Sequence, residues 1–215
     1  MSSRRFLLAT RSAGKLRELN EIFSDFDLDV VDVASLGIPE SPVEDDLERY
    51  ETFEENALAK ARYFFEVSGG LPTFGDDSGM CVDVLGGEPG VYSKRWSGRK
   101  DLVGKALDDA NNAKLLARMQ GALSDDPAHY TDAVRYISVA AFKDSGGEVL
   151  RRGEIEGRVL LTPRGTGGFG YDPYFDAPEL GGTFAESSIE NTAALSHRAR
   201  AFRALLSALR AEGRV

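Results

Sequence analysis

The chain has 215 residues and a formal net charge of −9, a length for one domain or one domain with a lobe. That sign argues against a broad surface for nucleic-acid polymers or anionic membranes, and no stretch approaches the ~20 apolar residues of a membrane span. Cys81 is the single cysteine, so an internal disulfide is excluded and the chain fits a reducing, cytoplasmic compartment.

In chain order, the N-terminal stretch to Thr10 holds two arginines and an apolar run, Phe6 to Ala9. The run is too short for a signal-peptide core, and Arg5 to Thr10 reads as a buried strand. Ala13 to Phe23 reads as a helix and Leu28 to Val33 as a strand. Residues 34 to 50 read as loop, with two prolines and many acids. Thr52 opens a helix with Glu55 three residues on, the spacing of a capping box, and Phe53, Ala57, Ala61 and Phe64 form its apolar stripe. Pro72 to Phe74 and Met80 to Val84 read as short strands around an acidic turn. Asp101 to Gln120 reads as a long helix. Val134 to Phe142 and Glu148 to Leu161 read as a hairpin across Ser145-Gly146-Gly147. A last helix carries Phe202, Leu205, Leu206 and Leu209 at i, i+3, i+4, i+7 spacing. There is no internal repeat and no low-complexity linker. Strands and helices alternate early and a long hairpin comes late, so the expectation is an α/β chain with a mixed central sheet, forming one domain over 1–215.

Several clusters carry chemistry, each with a plain structural reading beside it. Asp76 and Asp77 repel and are poor strand formers. Together they suit a divalent cation, which takes oxygen ligands; Asp, Ser and Gly equally suit a turn. Thr10-Arg11-Ser12-Ala13-Gly14-Lys15 joins the first strand to the first helix. A helix N-terminus offers free N–H groups and partial positive charge to a phosphate, and a bare strand-to-helix turn fits the same letters. It is not a Walker A loop, because Ala9 stands at the first glycine and Leu16 at the Ser/Thr. Asn56 and Lys60 lie four apart and share a helix face, downstream of acids at Glu44, Asp45, Asp46 and Glu48; a solvated face and loop would look alike.

Gly165 to Gly170 matches G-x-G-x-x-G by letter, but it runs into Tyr171-Asp172-Pro173 and opens no helix, so dinucleotide binding is rejected. Phe169 there suits stacking on a base with Asp172 accepting hydrogen bonds from it, or a place in the core. No G-x-S-x-G and no H-E-x-x-H occurs, which leaves serine hydrolases and zincins without support. Cys81 sits in an apolar strand pattern and reads as core.

Taken in order from Leu8 to Phe202, these segments resemble the inosine/xanthosine triphosphate pyrophosphatase family, enzymes that clear non-standard purine nucleotides. The match runs through Leu8-Ala9-Thr10…Gly14-Lys15, Thr52 to Ala57 with Lys60-Ala61, and Asp76-Asp77-Ser78-Gly79. It continues through Leu85-Gly86-Gly87…Pro89 to Ser93, Phe169 to Pro173, and Leu195-Ser196-His197-Arg198. The resemblance implies an elongated mixed β-sheet with flanking helices forming two lobes around a central cleft, in a cytoplasmic homodimer whose partner is a small nucleotide. It implies Mg²⁺ held by Glu48 and Asp77 with Asp76 beside them, and Asp77 as the proton acceptor. It makes Lys15 and Lys60 triphosphate ligands, helped by the Thr10, Arg11, Ser12, Ala13, Gly14 loop, Asn56 and Ser78. Phe169, with Gly170 and Tyr171, takes the purine, whose edge Asp172, His197 and Arg198 read. Two positions depart from the family: Ser12 replaces the usual Asn, and Thr192 replaces the usual Lys five residues before His197.

Overall fold

Seven strands form a mixed sheet in the order β2-β1-β3-β4-β5-β6-β7 in this computed structural model, which describes residues 5–215. Residues 1–4 of the N-terminal stretch read above lie outside the described residues. The strands are β1 (Arg5–Leu8), β2 (Asp29–Asp32), β3 (Thr73–Val82), β4 (Ala133–Asp144), β5 (Gly147–Val159), β6 (Phe175–Ala177) and β7 (Gly182–Thr183). The α-helices are α1 (Ala13–Ser24), α2 (Phe53–Val67), α3 (Gly104–Asp125), α4 (Ile189–Leu195) and α5 (His197–Ala211). β1 runs parallel to β2 and β3, whereas β5, β6 and β7 pair antiparallel, so the expected mixed sheet is present. Among the described residues no helix is long and apolar enough to cross a membrane.

The described residues divide into two compact units, those up to Asp77 with 138–153 and 196–215, and 78–137 with 154–195. The first unit is built on an aromatic cluster. Phe74 of β3 lies 5.1 Å from Phe23 of α1, 4.9 Å from Phe142 of β4 and 6.2 Å from Phe202 of α5, ring centre to ring centre. Each buried ring of this size contributes about 1.5–3 kcal/mol by leaving water. Thr52 caps α2, its Oγ1 accepting from Glu55 N at 3.2 Å, a bond that stabilises a helix end by about 1 kcal/mol. In the second unit Met80, Trp96, Leu115, Met119, Tyr136 and Phe175 form the core, and Tyr136 stacks on Phe175 at 4.2 Å. Cys81 is buried, as its apolar setting predicts.

Four readings of the sequence are corrected. The acidic segment is no turn between two short strands: residues 73 to 82 form one continuous strand. The long helix starts at Gly104 and ends at Asp125, later at both ends than expected. A 3₁₀ turn over Pro42–Asp46 interrupts the 34–50 loop, capped by Ser41. Helix α4 and the short β6 and β7 were not expected at all.

Candidate active site

Strand β3 sorts the two aspartates. Successive side chains on a strand point to opposite faces. Phe74 and Asp76 therefore share the face that meets α1 and α5, and Gly75 and Asp77 share the face that meets α2. A Cβ on Gly75 would stand 2.8 Å from the Ala57 carbonyl oxygen. Glycine at this position lets α2 approach the strand closely enough for its polar residues to reach Asp77.

On the α2 side, Asn56 Nδ2 donates to Asp77 Oδ2 at 3.0 Å and to the Tyr50 carbonyl at 3.3 Å, while Asn56 Oδ1 accepts from Tyr50 N at 3.0 Å. Asn56 thus ties the loop before α2 to the catalytic candidate. The Lys60 ammonium sits 2.9 Å from Glu48 Oε1 and 3.4 Å from Asp77 Oδ1. Burial works against the Lys60 charge, but the Glu48 and Asp77 carboxylates outweigh it and hold its pKa above the ordinary lysine value. Burial dominates at Asp77, whose pKa is pushed up despite the Lys60 and Lys15 charges. A carboxylate with a raised pKa is a stronger proton acceptor.

On the other face, Asp76 Oδ2 lies 3.0 Å from the Lys15 ammonium and 3.3 Å from Arg198 Nε. Burial would raise the Asp76 pKa; the Lys15 and Arg198 charges overcome it and drive the pKa well below the usual range. Lys15 goes the opposite way, its pKa lowered because burial outweighs Asp76. Arg198 also pairs with Glu18 of α1, whose other oxygen accepts from Ser196 Oγ. His197 is buried, and burial next to Arg198 pushes its pKa well down, so the ring is neutral at pH 7.

Sequence reasoning missed Glu18. The signal was available: Glu18 lies beside Leu19, Ile22 and Phe23 on the buried face of α1. A carboxylate on an apolar stripe has to meet a cation.

The loop from Thr10 to Lys15 is fixed by its own hydroxyls. Ser12 N donates to Thr10 Oγ1 at 3.2 Å, and Ser12 Oγ caps α1 by accepting from Lys15 N at 3.4 Å. Serine at the position where the family usually has Asn thus serves as an N-cap, a place both residues favour. Ala13 and Gly14 form the first turn. Arg11 is turned to Glu44 in a two-pronged contact of 2.7 and 2.8 Å, and its NH2 also donates to the Ile38 and Pro39 carbonyls.

In the second unit the Phe169–Asp172 loop is anchored at every residue. Asp172 Oδ2 accepts from Phe169 N at 2.8 Å, and its Oδ1 accepts from the Tyr136 hydroxyl at 3.0 Å. A Cβ on Gly168, whose φ is +69°, would fall on the Asp172 carboxylate, so only glycine allows this closure. Tyr171 donates to the Ser93 carbonyl at 2.9 Å. Gly170 N donates to Asp108 and Gly170 O accepts from Asn112, both at 3.0 Å. Phe169 itself is 39% exposed, so the core placement is excluded. Ser78 follows Asp77 on β3 and is half-buried.

Among the described residues no group of three or more His, Cys, Asp and Glu side chains is gathered as a metal-ligand set. Magnesium does not need one. It takes oxygen donors in octahedral geometry, keeps several waters, and is commonly held by one or two carboxylates together with substrate phosphates. Glu48 and Asp77 are such a pair, and both already converge on one positive centre, the Lys60 ammonium. The donor set fits the ion.

The model of the Ham1 family matches residues 6–208 of the sequence. The chain belongs to the Ham1 family. This is the family of inosine/xanthosine triphosphate pyrophosphatases that the motifs resemble. The Ham1 chain is 44% identical over 207 residues to the dITP/XTP pyrophosphatase of Ralstonia nicotianae, covering 96% of this chain and 97% of that protein. It is 44% identical to the dITP/XTP pyrophosphatase of Symbiobacterium thermophilum over 97% of this chain and 96% of that one. Among solved structures it is similar to a HAM1 protein from Coxiella burnetii, with TM-score 0.77, 29% identity, and 95% and 98% of the two chains covered. The Staphylococcus aureus Ham1 protein gives TM-score 0.75 and 31% identity over 97% and 99%. The mixed sheet with flanking helices is the Ham1 architecture.

Proposed function

We propose that this Ham1 chain hydrolyses ITP, dITP and XTP to the nucleoside monophosphate and pyrophosphate, and that residues 1–215 act as one pyrophosphatase domain. That it is a hydrolase of nucleoside triphosphates follows from its family. Of the substrates, dITP and XTP follow the names of relatives whose length this chain nearly spans, and ITP follows the resemblance to the inosine/xanthosine triphosphate pyrophosphatases. The observation that carries the reading is the convergence of Glu48 and Asp77 on Lys60 beside a helix start that presents Lys15.

In this mechanism Glu48 and Asp77 hold Mg²⁺, which when bound neutralises charge on the phosphate oxygens. Lys15, Lys60 and the free N–H groups at the start of α1 bind the triphosphate. Asp77 accepts a proton from a water whose oxygen bonds to the α-phosphorus. The bond from that phosphorus to the bridging oxygen breaks, and pyrophosphate leaves with the electron pair. Asp76 assists from the other face of β3 by holding Lys15 and Arg198. Phe169 offers its exposed ring to the purine.

Asp172, His197 and Arg198 read the base edge. Arginine donates and cannot accept. The O6 of hypoxanthine or xanthine therefore suits the site, and the amino group of adenine leaves a buried donor unpaired, which costs about 1–3 kcal/mol. By the same resemblance we read the working form as a homodimer, and a single cysteine, Cys81, fits a cytoplasmic setting.

The test is pyrophosphate release from ITP, XTP, dITP, ATP and GTP with Mg²⁺. Fast release from the first three and slow release from ATP is the expected pattern. Equal rates on ATP and ITP, or orthophosphate as the only product, overturns the assignment. Binding of ITP with no product at all would mark a nucleotide-binding module instead, the reading that Thr192 alone favours.

A further inference from the structure

The Phe169 ring is exposed while the backbone on either side of it is held by two buried polar residues, Asn112 and Asp172, and by the half-buried Asp108. Asp108 and Asn112 lie four apart on α3 and therefore on one face. Asp108 Oδ2 accepts from Gly170 N at 3.0 Å, and Asn112 Nδ2 donates to Gly170 O at 3.0 Å. One helix face thus grips both peptide groups of a single loop residue. On the other side of the ring, Phe169 N is tied to Asp172 Oδ2 at 2.8 Å. Asn112 is 7% exposed, and a buried amide in a core helix is costly unless its bonds hold something in place. These bonds fix the backbone that carries the ring and leave χ1 and χ2 as its remaining freedoms.

We infer that Asp108 and Asn112 are positioning residues for the Phe169 stacking face: by clamping Gly170 to α3 they present the ring, pre-set, to a planar base. This rests on the reading of Phe169 as the purine-stacking residue. The role differs from a catalytic one, since neither side chain needs to touch the substrate. Stacking acts on the bound substrate and the transition state alike. Loss of the clamp should therefore weaken binding without slowing the chemical step.

The test compares Asp108→Ala, Asn112→Ala and Asp108→Asn with wild type, using ITP as substrate and inorganic tripolyphosphate as a competitive inhibitor that has no base. Both alanine variants are expected to raise KM for ITP about tenfold, the scale of one stacked base, with kcat within about twofold and the tripolyphosphate Ki unchanged. Asp108→Asn keeps an oxygen acceptor for Gly170 N and should stay near wild type. On a Phe169→Ala background, Asp108→Ala should add nothing. A rise in the tripolyphosphate Ki parallel to KM, a fall in kcat at constant KM, or an additive effect on the Phe169→Ala background overturns the inference, as does an unchanged KM in both alanine variants. Asp108→Ser and Asn112→Ser replace any alanine variant that fails to fold. Should wild type release no pyrophosphate from ITP, the hydrolytic reading falls, and calorimetric Kd for ITP replaces KM in the same comparison.

Discussion

Asp76 and Asp77 are adjacent in sequence and engage different helices: Asp76 pairs with Lys15 of α1 and Arg198 of α5, and Asp77 with Asn56 and Lys60 of α2. The strand pleat does this, and it gives the two carboxylates opposite electrostatics. Asp76 is stabilised as an anion and Asp77 is destabilised as one.

The two amide variants should therefore separate stability from activity. Asp76→Asn removes the buried counter-charge of Lys15 and Arg198, and breaking a buried pair from one side costs about 3 kcal/mol or more. Asp77→Asn removes a charge that burial already disfavours, so its melting temperature should match or exceed wild type while pyrophosphate release is abolished. Thermal melts by circular dichroism and a pyrophosphate assay check both. An active Asp77→Asn enzyme would remove Asp77 from the role of proton acceptor.

Chelation should stop pyrophosphate release and leave the fold intact. Lys60 already balances Glu48 and Asp77 within the protein, so the folded chain does not depend on a bound cation to offset them. Melting temperature with and without EDTA should agree within a degree or so, and activity should return on adding Mg²⁺. A large drop in melting temperature with EDTA would mean that a metal is part of the fold.

Gly75→Ala should cost both stability and rate. Its Cβ would press on the Ala57 carbonyl at 2.8 Å and on Ala61 N at 3.1 Å, backbone atoms that cannot rotate away. Overpacking of this kind costs about 1–3 kcal/mol. Displacing α2 also carries Asn56 and Lys60 away from Asp77. The expected result is a lower melting temperature together with a kcat reduced tenfold or more in the soluble fraction.

Much of this arrangement was legible in the sequence. The helices α1, α2 and α5 were readable, with the cap of α2 and the apolar stripes of α2 and α5, because such signals are local. The strand character of 73–82 was not, because Gly75, Asp76, Asp77, Ser78 and Gly79 all disfavour strands. Tertiary contacts override them: Gly75 is required by α2, and each aspartate finds its cations on another element. Helix α4 escaped notice because Glu190, Asn191 and Thr192 give it no apolar period. The site letters Lys15, Lys60, Asp77 and Phe169 stood out beside glycines and acids. Asp108 and Asn112 did not, since on a long helix they look like any solvated pair until Gly170 is seen against them.

Stability should fall as pH drops below about 6.5 because of His197. Its folded pKa is well below the unfolded value of 6.5, chiefly through burial and then through the Arg198 charge. Below pH 6.5 the unfolded chain therefore takes up a proton that the folded chain refuses. The sign follows: stability from this group is fully present above pH 6.5 and is lost as pH falls toward the folded pKa. The limiting slope for one proton is about 1.4 kcal/mol per pH unit. Urea melts at pH 7.5, 6.5, 5.5 and 5.0 should show this loss in wild type. In His197→Gln the same interval should be flatter by that amount, because glutamine does not titrate; equal slopes in the two proteins would place the loss on other groups.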